Sequence, residues 1–303
     1  MKYAPIVLFV YKRPEETQKV LAALAANEGA EHSELIVYAD GPKNEADQEK
    51  CEAVREMIRN ASGFSKITLF AAEKNKGLAA SVISGVTETL EKYDRVIVLE
   101  DDLVTSKYFL RFMNEALEKY ENDDRICCIH AFSHPTKHPE IQYFLRRGAD
   151  CWGWAAWKRG WKIFEHDSQK LYDKITAQKL KKEFDRNGIF PYTKMLKDQA
   201  DGKIDSWAIR WYASAFLAEK YTLQSNVMLV ENIGFGAEAT HCCLKRQEKI
   251  VLTNKPVFFD REAGMENNAL KKEYYDWHKK YQISLINRCI IKLKKVFSKW
   301  SVL

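Results

Sequence analysis

The chain has 303 residues, of which 46% are hydrophobic and 12% aromatic, and this suits one large α/β domain or two tightly joined halves. The formal net charge is +6, but nine Lys and Arg residues lie between Leu270 and the C-terminus, so a general nucleic-acid-binding surface is not indicated. Seven cysteines, an odd number without CxxC spacing, favour reduced thiols over a disulfide framework or a zinc site.

Four apolar runs in the first 125 residues alternate with helical patterns. The runs predict strands, and they lie at 5–10, 35–39, 66–71 and 96–99. The patterns that follow them predict helices, and these lie at 15–26, 45–59, 78–90 and from about 107 onward. Four β-α units of this kind predict a parallel sheet with right-handed crossovers.

Three adjacent acidic residues, Glu100, Asp101 and Asp102, follow the run at 96–99. A continuous apolar run is typical of a parallel strand buried on both faces, and its carboxyl end is where open α/β sheets bind ligands. Adjacent carboxylates repel one another unless a cation compensates them, and Mg²⁺ or Mn²⁺ favours one or two carboxylates together with phosphate oxygens. The alternative is a solvated strand end before the next helix, for which Ser106 offers an N-cap.

Beyond residue 125 the β-α alternation stops and aromatic loops become frequent. Strands are predicted at 126–129 and 222–230, and helices at 168–187 and directly after Asp205. We therefore expect three parts, at residues 1–125, 126–260 and 261–303, of which the last is a basic tail.

The tail has apolar residues at helical spacing with basic residues largely between them. The apolar positions are Ile286, Cys289, Ile290, Leu293, Phe297 and Trp300. A basic amphipathic helix of this kind indicates binding to a membrane surface, and packing on the domain or on a second subunit is the alternative. The N-terminal apolar run of about seven residues is too short for a signal peptide or a membrane span, so we expect a cytoplasmic protein, peripheral on the inner face of the membrane.

Several segments in this order resemble a nucleotide-sugar glycosyltransferase of the A-type fold. They are PIVLFVYKRPEE, Asp40-Gly41, NKGLAASV, VIVLEDDL, the WGW loop, the Asp-Ser-Trp helix start and a late His. The set is similar to the N-acetylglucosaminyltransferase I type and to bacterial polysaccharide and O-antigen glycosyltransferases, over about residues 4–245. The resemblance implies an α/β, Rossmann-like fold with a mostly parallel central sheet. It also implies that residues 1–125 bind the nucleotide-sugar donor and that a fused half, residues 126–260, binds the acceptor and carries the catalytic base, while the tail adds an amphipathic helix.

The resemblance implies that the acidic motif binds Mn²⁺ or Mg²⁺. In similar enzymes the last acid binds the metal and the earlier ones contact ribose or metal-bound water, which assigns Asp102 to the metal, Asp101 to the ribose and Glu100 to support. A metal that bridges the phosphates of the leaving nucleoside diphosphate stabilises its charge as a Lewis acid. The resemblance also places Asp40 at the uracil imide N–H and Arg13 at the nucleotide. The residues alone leave an alternative open for each: Asp40 as a turn-forming residue before Gly-Pro, and Arg13 as a surface cation.

Two further loops are implied to contact the nucleotide sugar. Asn75, Lys76 and Gly77 precede a helix N-terminus, a place that suits phosphate or ribose, and the glycine permits close approach. A helix cap is the alternative for these three residues. Gly153 and Trp154 lie where the family has a small-residue loop that faces the donor sugar, and core packing is the alternative for the tryptophans of this loop.

Asp205 is the candidate general base. An inverting transfer needs one base to take the acceptor hydroxyl proton, and Asp205 matches the position of the family's catalytic acid, which precedes a Trp. A helix N-cap is the alternative for Asp205, and Asp198 and Asp201 are nearby rivals for the role of the base.

The resemblance implies that His241 completes the metal shell or contacts the diphosphate, although a lone His is more often structural. Glu238 is a further candidate for contact with acceptor hydroxyls.

These observations predict a metal-dependent inverting glycosyltransferase. We expect the donor to be UDP-N-acetylhexosamine or another UDP-hexose, and the acceptor to be a glycan or a lipid-linked oligosaccharide of cell-surface polysaccharide synthesis. The alternatives are a retaining transferase of the same fold, a sugar nucleotidyltransferase and an inactive carbohydrate-binding scaffold. A nucleotidyltransferase usually carries a Gly-rich loop after its first strand, and VYKRPEE is not one. A glycosidase does not need a metal triad.

Overall fold

The computed structural model describes residues 2–234, 251–266 and 268–281. The chain forms two compact units, Met1–Glu266 and Asn267–Leu303. The described part of the second unit is one helix, α10 (Asn268–Tyr281). The apolar stripe at 286–300 that predicts an amphipathic helix lies outside the described residues, as do Glu238 and His241.

The first unit contains eleven described strands. They are β1 (Ile6–Val10), β2 (Glu34–Ala39), β3 (Lys66–Ala71), β4 (Arg95–Glu100), β5 (Leu103–Thr105), β6 (Ile126–His130), β7 (Tyr143–Arg147), β8 (Trp154–Trp157), β9 (Tyr221–Ser225), β10 (Val230–Asn232) and β11 (Gly264–Met265). Nine of them form one sheet in the order β11-β7-β9-β6-β8-β4-β1-β2-β3, and β5 and β10 form a separate two-stranded ribbon. Strands β1 to β4 pair in parallel, which confirms the predicted mostly parallel sheet.

Helices cover both faces of this sheet. The described helices of the first unit are α1 (Pro14–Ala25), α2 (Gln48–Arg59), α3 (Leu78–Tyr93), α4 (Phe109–Lys119), α5 (Lys158–Trp161), α6 (Ser168–Ala177), α7 (Lys181–Phe184), α8 (Tyr192–Ala200) and α9 (Trp207–Leu217), with 3₁₀ turns at Ala30–His32 and Glu45–Asp47. Strand β1 shows why a continuous apolar run indicates a strand that is buried on both faces. Its side chains alternate between two hydrophobic clusters, Ile6 and Leu8 toward one face of the sheet and Val7 and Phe9 toward the other.

The pairing of β1 with β4 determines where the acidic motif lies. Phe9 pairs with Glu100 in this parallel register, so the residues that follow each strand emerge side by side at the carboxyl edge of the sheet. Tyr11 and Asp101 are the first to meet there, because the Tyr11 backbone N–H donates to Asp101 Oδ2 at 3.1 Å. The fold therefore brings the chain after β1 directly to the carboxylates.

The predicted boundary near residue 125 lies inside one continuous sheet. Strand β8 pairs antiparallel with both β4 and β6, so the strands before and after residue 125 belong to the same sheet. The helix predicted at 168–187 is two helices, α6 and α7, because Lys179 between them has a left-handed φ of 56°. The strand predicted at 222–230 is likewise divided into β9 and β10, separated by a turn.

The chain between the acidic motif and α4 differs from the predicted helix cap. Residues 103–105 form β5 and pair antiparallel with β10, and α4 begins only at Phe109. Ser106 accepts a hydrogen bond from the Tyr108 backbone N–H at 3.2 Å and donates to the Thr253 carbonyl at 2.8 Å, so it ties the ribbon to a distant loop. None of the described helices combines the length and the apolar character that a membrane span requires.

Candidate active site at the carboxyl edge of the sheet

A cleft opens at the carboxyl ends of β1, β2 and β4. Its lining combines aromatic rings, carboxylates, a guanidinium and amides. The lining residues are Phe9, Val10, Tyr11, Arg13, Tyr38, Asp40, Lys43, Asn75, Gly77, Leu78, Ser81, Glu100, Asp101, Asp102, Trp152, Asn232 and Gly234. Most of the predicted nucleotide contacts therefore lie around one depression, at the edge where open α/β sheets bind ligands.

The acidic motif forms the floor of this cleft and is paired with Arg13. The Arg13 Nη1 atom lies 2.9 Å from Asp102 Oδ2 and 3.4 Å from Asp101 Oδ1. Asp101 is buried, and the side chains of Asp102 and Arg13 are 15% and 17% exposed. One guanidinium thus faces two carboxylates directly, and Glu100 adds a third carboxyl group next to them.

All three carboxyl groups of this motif have raised pKa values. Burial raises the pKa of Glu100 to about 8, and repulsion from Asp102 and Asp101 adds to the shift. Burial also raises the pKa of Asp101 to about 7 and that of Asp102 above its usual value, although Arg13 opposes both shifts. Raised carboxyl pKa values mean that the site disfavours its own full negative charge, a penalty that a bound cation relieves.

The residues present fit a divalent cation that is shared with a substrate. Among residues 2–234, 251–266 and 268–281, no group of three or more His, Cys, Asp and Glu side chains is placed to hold a metal. Mg²⁺ and Mn²⁺ do not need such a cage when one or two carboxylates act together with phosphate oxygens and water. Asp102 lies in the cleft with Asp101 beside it, and this donor set matches that mode of binding.

The segment after β10 closes over Asp102, and sequence reasoning missed this contact. The Ile233 backbone N–H donates to the Asp102 carbonyl at 2.8 Å, and the Gly234 N–H donates to Asn232 Oδ1 at 2.8 Å. A Cβ atom at Gly234 would lie 2.1 Å from Asp102 Oδ2, so a larger residue here would displace this carboxylate. The contact leaves no pattern in the sequence, because the pairing of β10 with β5 determines which residue the Asn-Ile-Gly segment meets.

Asp40 organises the loop before α3. Its Oδ1 accepts from the backbone N–H groups of Gly41 and Lys76, both at 2.8 Å. Its Oδ2 accepts from Asn75 Nδ2 and from the Gly77 N–H, both at 3.0 Å. A carboxylate offers about four acceptor positions, and the chain's own donors use all of them. Asp40 lines the cleft, and a nucleobase N–H there would have to share or displace one of these hydrogen bonds.

Asp40→Asn is expected to loosen this loop. The new amide group turns one acceptor oxygen into a donor that faces an N–H, which costs roughly 1–3 kcal/mol of stability for the groups left unpaired. We expect urea unfolding to show that loss and calorimetry to show weaker nucleotide binding. Asp94→Asn is the matched control and should keep the stability of the wild type. Asp94 caps the C-terminus of α3 with a left-handed φ of 62°, a conformation that Asn also tolerates. Equal stability of the two variants contradicts this role of Asp40.

The WGW loop divides between the cleft and the core. Trp152 lines the cleft, whereas Trp154 is 1% exposed and stacks on Trp161 and Trp207 with ring centroids 5.6 and 5.5 Å apart. Gly153, at φ 65°, turns the chain between them; a Cβ there would lie 3.2 Å from the Phe109 ring. Trp154 therefore belongs to the core, as in the packing alternative, and its neighbour Trp152 is the residue that a ligand in the cleft can touch.

Asp205 lies outside this cleft, in a neighbouring groove. The groove is lined by residues of α3, by His166 and by residues at the start of α9, and these are Ala80, Ile83, Ser84, Thr87, Glu88, His166, Asp205 and Arg210. Ser81 lines the cleft and Ser84 lines the groove, so the two depressions are neighbours along the first turns of α3. The Asp205 side chain is 64% exposed and pairs with Arg210 at 3.1 Å, while Ser206 caps α9.

Other cleft residues carried no strong signal in the sequence. Lys43 and Ser81 line the cleft from the loop after β2 and the first turn of α3. Tyr11 donates its hydroxyl to Asp47 at 2.7 Å, and Lys12 pairs with the same carboxylate at 2.6 Å, which orders the chain between β1 and α1. Single polar residues in loops have no periodicity, so their placement becomes visible only in the folded chain.

This fold and this cleft are those of a glycosyltransferase of the A-type fold. Residues 6–188 match the family model described as "Glycosyl transferase family 2". The chain belongs to this family, which decides against the nucleotidyltransferase and glycosidase alternatives.

Solved structures similar to this chain are distant. A crystal structure of S. aureus TarS 1-349 has 12% identity and a TM-score of 0.42, with 76% of this chain and 60% of that chain covered. A structure of the same TarS fragment in complex with UDP-GlcNAc has 13% identity and a TM-score of 0.38, with 75% of this chain and 57% of that chain covered. The mannosyltransferase PcManGT from Pyrobaculum calidifontis, in complex with GDP-Man and Mn²⁺, has 13% identity and a TM-score of 0.37, with 71% of this chain and 75% of that chain covered. The chain thus spans less than two thirds of the TarS fragment, and no curated protein matches it in sequence.

Proposed function

We propose that this protein is a metal-dependent, inverting glycosyltransferase. Its donor is a UDP-N-acetylhexosamine or another UDP-hexose, and its acceptor is a glycan or lipid-linked oligosaccharide of cell-surface polysaccharide synthesis, such as O-antigen. The observation that carries the proposal is the motif of Glu100, Asp101 and Asp102, which lies in a cleft at the carboxyl edge of the sheet with Arg13 paired to both aspartates. Such a site binds a cation and an anionic leaving group together.

The strand order supports one direction for the donor along the cleft. The order β8-β4-β1-β2-β3 places Asp40 and Asn75, which follow β2 and β3, on one side of the acidic motif at the end of β4. Trp152, which precedes β8, lies on the other side. A nucleoside at the β2–β3 side and a diphosphate at β4 therefore leave the sugar at the β8 side, beside Trp152.

The chain's own residues have separate tasks in this proposal. Asp102, with Asp101 beside it, would hold Mn²⁺ or Mg²⁺, and the metal would supply Lewis-acid stabilisation for the charge of the leaving diphosphate. Arg13 neutralises part of the carboxylate charge and orients the motif through its contacts with both side chains. Asp205, exposed in the neighbouring groove, takes the proton of the acceptor hydroxyl onto a carboxylate oxygen as that hydroxyl attacks the anomeric carbon.

Two parts of the proposal rest on sequence alone. His241 is proposed to complete the metal shell or contact the diphosphate. The basic apolar stripe at 286–300 is proposed to hold the protein on an anionic membrane surface, close to a lipid-linked acceptor. Sedimentation of the full chain and of a chain ending at residue 281 with anionic vesicles tests the second part, and equal sedimentation of both contradicts it.

Thermal unfolding with a panel of nucleotides tests the donor and metal assignments. A ligand at 100 times its Kd that binds only the native state stabilises it by about 2.7 kcal/mol, a rise in Tm of roughly 4–5 °C for a domain of this size. We expect this rise for UDP and UDP-hexoses with Mn²⁺ and a much smaller one with EDTA. No rise with any uridine nucleotide, or a larger rise with GDP-sugars, overturns the donor assignment. The anomer of the product, followed by NMR, distinguishes inversion from retention.

A further inference from the structure

Trp152 is held in the wall of the cleft by a residue that has no part in the proposed chemistry. Its backbone N–H lies 3.3 Å from Nε2 of His130, the last residue of β6, which is 1% exposed. Its ring packs edge-to-face on Phe132, with centroids 4.8 Å apart. The position of this wall therefore depends on a buried imidazole behind it.

The hydrogen bonds around Gln224 determine which nitrogen of His130 carries the proton. The Gln224 Nε2 atom donates to the carbonyl oxygens of Phe132 and Ser225, so its amide nitrogen faces away from the imidazole. The Oε1 atom, which can only accept, lies 3.0 Å from His130 Nδ1. His130 must then be protonated on Nδ1, and its Nε2 lone pair is available to accept from the Trp152 N–H.

The charged neighbours support this neutral form. Burial lowers the pKa of His130, and although Asp150 opposes this shift, Arg146 adds to it. Arg146 donates to Gln224 Oε1 at 2.7 Å and to Asp150 Oδ2 at 2.6 Å, so both acceptors already have a cationic partner. Asp150 also accepts from the Cys151 N–H at 2.9 Å, which fixes the chain just before Trp152.

We propose that His130 is a positioning residue for the donor sugar. Its Nε2 fixes the backbone of Trp152, and the indole ring then stands on the β8 side of the acidic motif, where its face packs against C–H groups of the hexose. The inference rests on the proposed direction of the donor in the cleft. It separates the two parts of the donor: the nucleoside diphosphate is bound without His130, and the sugar is bound through it.

Two variants of His130 separate this role from general stability. In His130→Asn the amide nitrogen replaces Nδ1 and keeps the donor to Gln224, but the acceptor for Trp152 is lost. In His130→Gln the amide oxygen replaces Nε2 and keeps that acceptor. Calorimetry in Mn²⁺ measures Kd for UDP and for the UDP-hexose that the wild-type protein binds best among UDP-glucose, UDP-galactose and their N-acetylated forms.

We expect His130→Asn to bind UDP like the wild type and to bind the UDP-hexose about tenfold more weakly, while His130→Gln stays close to the wild type for both. Equal behaviour of the two variants, or a parallel loss of UDP binding, overturns the inference. Trp152→Leu, which leaves the buried network intact, must show the same selective loss even if His130→Asn does not fold. A wild-type protein that binds no uridine nucleotide overturns the proposed donor, and this inference with it. A wild-type protein that binds UDP-hexose no better than UDP overturns this inference alone.

Discussion

Asp102→Ala is expected to abolish the metal-dependent part of nucleotide binding. Asp102 lies in the cleft within reach of Arg13 and beneath Gly234, and it is the carboxylate that we assign to the cation. Loss of a metal ligand removes both a bond to the ion and one of few negative charges at the site, and we expect Mn²⁺-dependent affinity for UDP to fall by on the order of 100-fold or more. Calorimetry with UDP in Mn²⁺ and in EDTA measures the two parts separately.

We expect Asp102→Ala not to destabilise the metal-free protein, whereas most substitutions that remove a largely buried side chain do. The pKa of Asp102 is raised by burial, and its charge raises that of Glu100, so the metal-free protein holds mutually repelling carboxylates at a cost. Removing one of them relieves that repulsion, and Arg13 keeps its contact with Asp101 at 3.4 Å. We therefore expect the Tm without metal to stay unchanged or to rise.

Asp124→Ala is the control for the change in net charge, because Asp124 is 89% exposed and lies in the loop between α4 and β6. It must leave UDP binding unchanged. If Asp102→Ala binds UDP in Mn²⁺ as tightly as the wild type, the cation is held elsewhere, and Asp101 becomes the carboxylate to test next.

The donor-binding strands could be predicted because burial on both faces leaves an unbroken apolar run. Residues 96–99 form such a run, and an acidic residue at the end of a run stands out against it. The carboxyl edge of a parallel sheet is also fixed by chain direction, so residues that follow β2 and β4, such as Asp40 and Asp102, are expected at the same edge. The role of Asp40 at the nucleotide comes from the resemblance and not from this pattern. These parts of the site depend on local sequence and strand order.

The rest of the site depends on contacts that leave no periodic pattern. The ribbon of β5 and β10 has three residues in each strand, too few to show alternation, yet it brings Gly234 to Asp102. The left-handed φ of Gly153 is equally invisible in the sequence, and it sends Trp152 to the cleft and Trp154 to the core. For Asp40 the residues left a turn and a ligand contact open, and only the four donors around the carboxylate show how strongly the loop uses it.

Asp205→Asn is expected to remove transfer and to leave donor binding intact. General base catalysis contributes on the order of 10²–10⁴-fold, and an amide cannot take the acceptor proton, so kcat should fall by that range. Asp205 lines the groove beside α3 and not the cleft, so Kd for UDP in Mn²⁺ should be that of the wild type. The amide oxygen can still accept from Arg210, so the exposed N-terminal end of α9 should keep its stability.

The neighbouring carboxylates provide the control that makes this result specific. Asp198 and Asp201 precede Asp205 in the same segment, and both are paired with lysines, Asp198 with Lys194 and Asp201 with Lys197 and Lys203. Neither lines the cleft or the groove, so Asp198→Asn and Asp201→Asn should turn over normally. Near-normal kcat in Asp205→Asn, with a large loss in either control, transfers the role of the base to that residue. A large loss in Asp205→Asn alone means that the acceptor hydroxyl approaches from the α3–α9 groove, across the first turns of α3 from the diphosphate site.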